Sequence, residues 1–151
     1  MLRDRFKSEL QKAMKSREAL KVSTLRLILA AIKDRDLDSR SKGNGDTIAD
    51  SNILEILSKM VKQRKETIST YRKAGRNDLA DQEDNEITII SEFLPKQLSE
   101  KEISQEIEII IKTNKANDMK DMGRIMGIAS KKFAGKADNS LIAKIVKSKL
   151  L

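Results

Sequence analysis

The side chains best suited to chemistry in this sequence are lysines and arginines, which are concentrated in two segments. Four cations fall within residues 59–65, and the last third of the chain carries a second group. Cations on successive turns of a helix can contact consecutive phosphates, so this spacing favours a polyanionic partner. The alternative is a solvated helix face whose cations pair with neighbouring acids. The candidate phosphate contacts are Lys62 and Lys65 in the first segment, and Lys120, Arg124, Lys131, Lys132, Lys136 and Lys144 in the second.

The sequence lacks two residue types that often carry catalysis and metal binding, because none of its 151 residues is histidine or cysteine. A catalytic Ser–His or Cys–His pair, a zinc site and an iron–sulfur cluster are therefore excluded. The carboxylates within residues 81–86 could form an acid–base pair or a hard-cation site, but carboxylates on an exposed helix face are usually only solvated. The sequence therefore predicts no catalytic residue, no metal ligand and no cofactor.

Charge is distributed unevenly along the chain. Lysine and arginine outnumber aspartate and glutamate by 31 to 23, which gives a formal net charge of +8 and favours a polyanionic partner. Residues 77–108 reverse this balance, with ten acidic and two basic side chains. The sequence thus predicts basic surfaces separated by an acidic one, and the acidic stretch 77–108 is a candidate docking surface for a basic protein partner.

Apolar residues recur at helical spacing along almost the whole chain, which contains one proline and six glycines. This pattern predicts an all-α protein with a four-helix N-terminal domain over residues 1–94 and a small three-helix C-terminal domain over 97–151. The boundary lies at Pro95, which restricts the residue before it. The second helix, from about Lys21, is apolar nearly all round and is expected to be buried on most sides.

Polar residues and glycines mark the expected helix ends. Residues 38–50 predict a flexible loop, and Gly75 stands where a left-handed helix cap is favoured. The residues expected at helix starts are Asn77 or Asp78 for the fourth helix, Ser99 with Glu102 as a capping box for the fifth, Asp118 for the sixth and Asp138 for the seventh.

Two glycines four residues apart, Gly123 and Gly127, lie within the sixth predicted helix. This spacing favours close packing of two helices, with methionines beside the glycines filling gaps in the core. The alternative is that the glycines let a large partner approach the helix backbone. Met119 and Met122 are expected to point inward with the apolar residues of this helix.

Four sequence blocks, in this order and spacing, resemble the GatB/YqeY family over essentially the whole chain. The blocks are Ala74-Gly75-Arg76-x-Asp78-Leu79-Ala80, Leu94-Pro95-x-Gln97-Leu98-Ser99, Lys120-Asp121-Met122-Gly123-x-x-Met126-Gly127 and Gly135-x-Ala137-Asp138. The chain looks like the free-standing YqeY-like branch, which is similar to the helical and tail region of the B subunit of the tRNA-dependent amidotransferase.

The resemblance implies an all-helical fold and a role in tRNA recognition, and it carries this role onto four matched positions. Those positions are Lys120, Arg124, Lys131 and Lys136. The family name also brings an association with amide-forming carbon–nitrogen ligase activity that uses glutamine as amido donor. Nothing in this chain resembles the catalytic body of that enzyme, so the ligase association stays at the level of the family.

Three hypotheses about function follow, in order of preference. The first is a module that binds tRNA or another structured RNA through phosphate contacts. The second is a protein–protein adaptor that uses the acidic stretch 77–108. The third is an enzymatic role, as an amidase or amidotransferase accessory that acts on aminoacyl-tRNA. The N-terminal residues alternate in charge without an apolar signal core, and no apolar run approaches the ~20 residues of a membrane span. We therefore expect a cytoplasmic protein without membrane contact.

Overall fold

The computed structural model describes residues 1–151, which form seven α-helices and one short 3₁₀ helix and contain no β-strand. The prediction of an all-α protein is confirmed. No helix combines the length and the apolar composition that a bilayer crossing requires. The helices are α1 (Leu2–Lys15), α2 (Ala19–Ser41), α3 (Asp50–Lys73), α4 (Asn77–Ser91), α5 (Glu100–Thr113), α6 (Met122–Lys132) and α7 (Asn139–Leu150), and the 3₁₀ helix Met119–Asp121 immediately precedes α6.

The chain divides into two compact units, Met1–Leu94 and Pro95–Leu151. Helices α1–α4 lie in the first unit and α5–α7 in the second. Each unit has its own cluster of buried apolar side chains, and the two clusters share no residue. Burial of apolar surface therefore stabilises each unit from within.

In the first unit, α2 packs against the other three helices with one side only. Leu25 and Ile28 are fully buried on that side, whereas Leu27 and Leu37 are each 50% exposed on the other. The expectation that the second helix is buried on most sides is therefore wrong. The apolar composition of α2 predicted burial on most sides, but no other element of the unit covers its outer face.

Three predicted helix boundaries also differ from the structure. Helix α6 begins at Met122, because the expected cap Asp118 instead caps the 3₁₀ helix that precedes it. Helix α2 continues to Ser41, past the expected loop start at residue 38, and its last turn carries an i,i+4 ion pair between Asp38 and Lys42 at 2.9 Å. Helix α4 begins after Arg76 with no side-chain cap from the expected residues. The Asp78 carboxylate instead accepts from the Arg76 guanidinium at 3.3 Å.

The second unit is held by apolar contacts among its three helices and by hydrogen bonds to the segment that enters it. The predicted capping box is confirmed: the Ser99 amide donates to the Glu102 carboxylate at 2.8 Å, and the Glu102 amide donates to the Ser99 hydroxyl at 3.2 Å. Gln97 donates its side-chain amide to the carbonyl of Gly135 at 2.6 Å. The fully buried side chains of this core are Ile103, Ile107, Ile125, Ala129, Ile142 and Val146.

Candidate nucleic-acid interface

Helix α6 turns its apolar side toward the core and both of its glycines away from it. Ile125 and Ala129 have no exposed surface, whereas Gly123 and Gly127 are exposed. A Cβ atom added to either glycine would meet no heavy atom within 4 Å. The prediction that these glycines serve close helix packing is therefore wrong, because no element covers them.

Three cations accompany the glycines, and together these residues define the α6 face: Lys120, Gly123, Arg124, Gly127 and Lys131. In a helix with 3.6 residues per turn, Arg124 and Lys131 fall on the same side, two turns apart, next to the glycines. Lys131 is exposed and forms no ion pair. Lys120 lies in the 3₁₀ helix, where its backbone N–H donates to the Asp118 carboxylate at 2.9 Å.

Arg124 is held in place by two acceptors. Its Nη2 donates to the Asp121 carboxylate at 2.9 Å, and its Nη1 donates to the carbonyl of Asn114 at 3.0 Å. A hydrogen bond from the Asn117 amide, followed by the one from Arg124, lowers the pKa of Asp121 below its ordinary value. The guanidinium is therefore oriented before any ligand arrives, while half of its surface stays exposed.

The remaining candidate cations of the second unit differ in their surroundings. Lys132 forms an ion pair with Glu106 at 2.6 Å, so its charge is already partnered. Lys136 is exposed in the turn before α7, where its carbonyl accepts from the Leu98 amide at 2.9 Å. Lys144 is exposed on α7.

The 3₁₀ turn also holds Met119, which is 38% exposed, so the prediction that it points inward is wrong.

Lys62 and Lys65 lie on α3 in the first unit, in a basic run that also packs along α4. Arg64 of this run is only 14% exposed and donates to the Glu86 carboxylate at 3.1 Å. Arg72 pairs with Asp81 at 3.2 Å. Both arginines therefore pair with neighbouring acids, which is the alternative to phosphate contact for this basic run.

The acidic stretch 77–108 is engaged mainly inside its own units. Within α4, burial and then the charge of Glu86 raise the pKa of Glu83 above its ordinary value. In the second unit, Glu106 pairs with Lys132, and Glu108 pairs with Lys149 at 2.6 Å. These ion pairs reduce the number of carboxylates that a basic protein partner would find free.

Lys115 lies beside the α6 face and is absent from the sequence-based candidates. It follows Asn114, whose carbonyl holds Arg124, and its backbone is left-handed at φ +51°. A lysine just after a predicted helix end, where glycine is the usual residue, is the only feature of the sequence that could have singled it out.

The sequence profile of the Yqey-like protein family matches residues 3–150. The chain belongs to this family, which confirms the YqeY assignment made from the sequence blocks. Curated relatives carry the name "Altered inheritance of mitochondria protein 41, mitochondrial". The protein of Vanderwaltozyma polyspora is 34% identical over 119 residues, which cover 77% of this chain and 59% of the relative.

Two further relatives bear the same name. That of Eremothecium gossypii is 36% identical over 89 residues, covering 59% of this chain and 46% of the relative. That of Saccharomyces cerevisiae is 27% identical over 127 residues, covering 81% of this chain and 66% of the relative. The matched part of this chain thus spans about half to two thirds of the length of these proteins.

The expectation of a cytoplasmic protein is contradicted by these comparisons. All three relatives are named as mitochondrial proteins. The argument for the cytoplasm used the absence of an apolar signal core, a feature that identifies secretory signals and says nothing about amphipathic targeting segments. The cytoplasmic prediction is therefore wrong.

Proposed function

We propose that this protein binds structured RNA, such as tRNA, through the α6 face of its second unit. The observation that carries this proposal is a pair of exposed helix glycines, needed by no contact inside the protein, beside three cations. The cations would contact phosphates, and the glycines would let the sugar–phosphate backbone come close to the helix.

The energetic cost of the glycines supports an external partner. A glycine in a helix interior costs about 1 kcal/mol relative to alanine. Neither Gly123 nor Gly127 has a positive φ, and neither is contacted across the helix, so nothing within the fold requires the missing side chain. A ligand that approaches the helix backbone supplies a physical reason for both.

The distribution of aromatic residues favours recognition of backbone and shape over stacking of single-stranded bases. All three phenylalanines, Phe6, Phe93 and Phe133, are at most 3% exposed, and the remaining aromatic residue, Tyr71, is partly buried on α3 of the other unit. No phenylalanine is therefore available as a platform for unpaired bases. Phosphate contacts would provide most of the affinity, which should fall steeply with salt.

The test is fluorescence-anisotropy titration of labelled tRNA at about 50 and 200 mM salt. We expect the double variant Lys120→Glu and Lys131→Glu to lose at least roughly tenfold in affinity and to show a shallower salt dependence. The control is Lys96→Glu with Lys101→Glu, which makes the same change in net charge in the same unit at two residues outside the α6 face. Equal losses in both variants, or no binding by the wild type at the lower salt, would overturn the proposal.

We also propose that the two units are separate domains, a four-helix domain over 1–94 and a three-helix domain over 97–151. The division of the chain at Pro95 and the two separate buried clusters support this organisation. RNA binding through the α6 face would then belong to the smaller domain, and Lys62 and Lys65 on α3 of the larger domain would be separate candidate phosphate contacts.

A further inference from the structure

Four helices of this protein end in the same backbone motif. After each, one residue takes a left-handed conformation, and the next amide donates to a carbonyl five residues earlier. Glycine occupies this position after α2 and α3, at Gly43 (φ +74°) and Gly75 (φ +73°). Glycine is the expected residue because it has no Cβ to clash in this conformation.

The other two helices end in a cation instead. The left-handed residue is Arg17 (φ +56°) after α1 and Lys115 (φ +51°) after α5. The motif is complete in both, since the Glu18 amide donates to Ala13 at 3.0 Å and the Ala116 amide donates to Ile111 at 3.0 Å. Left-handed backbone is uncommon for long side chains, and residues held in it against their preference tend to cluster at functional sites.

The surroundings of Lys115 connect it to the α6 face. The Asn114 carbonyl accepts from Arg124, and the Asn114 side chain donates to the carbonyl of Ile110 at 2.8 Å. The backbone on which Lys115 stands is therefore tied both to α5 and to the oriented guanidinium. The Lys115 side chain is exposed and forms no ion pair.

We infer that Lys115 is a further phosphate-contacting residue of the α6 face, which it extends beyond Arg124 to the end of α5. This inference rests on the proposed RNA binding. A glycine or asparagine would suit the backbone better, but neither carries the charge. The lysine at this position would add one phosphate contact at the expense of a strained helix end.

The test measures both thermal stability and affinity for tRNA. A purely structural role of Lys115 would change the two in the same direction. Lys115→Gly removes the strain and the charge, and Lys115→Asn removes the charge with a residue that tolerates the left-handed conformation. We expect Lys115→Gly to raise the midpoint of the transition that belongs to the second unit by roughly 4–8 °C. Affinity for tRNA at about 100 mM salt should fall roughly three- to tenfold in both variants, with a salt slope shallower by about one.

The chain provides two matched controls. Arg17→Gly removes the strain from the same backbone motif in the first unit. It should raise the thermal midpoint of that unit without changing RNA affinity. Lys101→Gln removes one charge at the opposite end of α5, and it should change affinity by less than about twofold.

The outcomes separate the inference from the proposed function. If Lys120→Glu with Lys131→Glu abolishes binding while both Lys115 variants bind as the wild type does, the inference is wrong and the α6 face stands. If Arg17→Gly weakens binding as much as Lys115→Gly, the effect is a general loss of positive charge and the inference is also wrong. If the wild type binds no RNA at low salt, the proposed function fails first.

Discussion

Gly75 and Gly127 show that glycine serves two different purposes in this chain. At Gly75 the positive φ explains the glycine by backbone geometry alone. At Gly127 the backbone is helical and the space around an added Cβ is empty, so the fold itself gains nothing from the missing side chain. Substitutions at Gly127 therefore separate a functional role from a structural one.

We expect Gly127→Ala to stabilise the protein by about 0.5–1 kcal/mol, because alanine is the better helix former. The same variant should bind tRNA less tightly, and Gly127→Leu should weaken binding further by holding the sugar–phosphate backbone away. Chemical denaturation measures the first effect and anisotropy the second. Gln105→Leu, which adds the same side chain to an exposed position of α5, is the control. Unchanged affinity in Gly127→Leu would remove the glycines from the interface.

At the scale of helices, the first unit is tied together at one point where three elements meet. The Asp36 carboxylate on α2 accepts two hydrogen bonds from the Arg3 guanidinium on α1, at 2.6 and 2.7 Å. The same carboxylate accepts from the Ile48 amide, just before α3, at 2.8 Å. Because such charge-assisted bonds are the strong ones, this carboxylate orders the connection between α2 and α3.

Replacing this carboxylate tests that role. We expect Asp36→Asn to lower the free energy of unfolding by about 1.5–3 kcal/mol, since the charge-assisted bonds to Arg3 are weakened. Urea unfolding at neutral pH provides the measurement. Asp34→Asn, an exposed neighbour on the same helix, should change stability by less than about 0.5 kcal/mol. Equal effects of the two substitutions would show that the Asp36 contacts add nothing to stability beyond those of an exposed aspartate.

The same contact has a defined pH dependence. The hydrogen bonds from Arg3, and then the one from Ile48, hold the pKa of Asp36 below its ordinary value of 3.8. A lowered pKa in the folded state stabilises the protein above pH 3.8, and this stabilisation is lost as the pH falls through the folded-state pKa. The stability difference between the wild type and Asp36→Asn should therefore shrink as the pH falls below 3.8, and a difference that stays constant from pH 7 to pH 2 would contradict this assignment.

At the scale of the whole molecule, the division into two units predicts how the protein unfolds. A small core buries a smaller fraction of its chain's surface, so the unit Pro95–Leu151 should unfold at the lower temperature. Calorimetry of the full chain should then resolve two transitions. Ile107→Ala should shift only the lower transition and Ile28→Ala only the upper, because each side chain is fully buried in one core. One transition that both variants shift would contradict the proposal of separate domains.

The sequence by itself determined the features that depend on near neighbours along the chain. Helical spacing of apolar residues, the Ser99–Glu102 capping box and the left-handed Gly75 all arise from contacts within about five residues, and all are present in the structure. The family could also be identified from the sequence, because the four blocks between Ala74 and Asp138 resemble it and the family profile matches residues 3–150.

Only the tertiary structure decided which surfaces are covered and which charges are paired. Lys131 and Lys132 are equivalent in the sequence, yet one is unpaired and the other meets Glu106, which is 26 residues away. The glycines of α6 have the spacing of a packed helix pair, but no helix packs on them. Such outcomes depend on how helices pack across long sequence separations, and local spacing does not specify that packing.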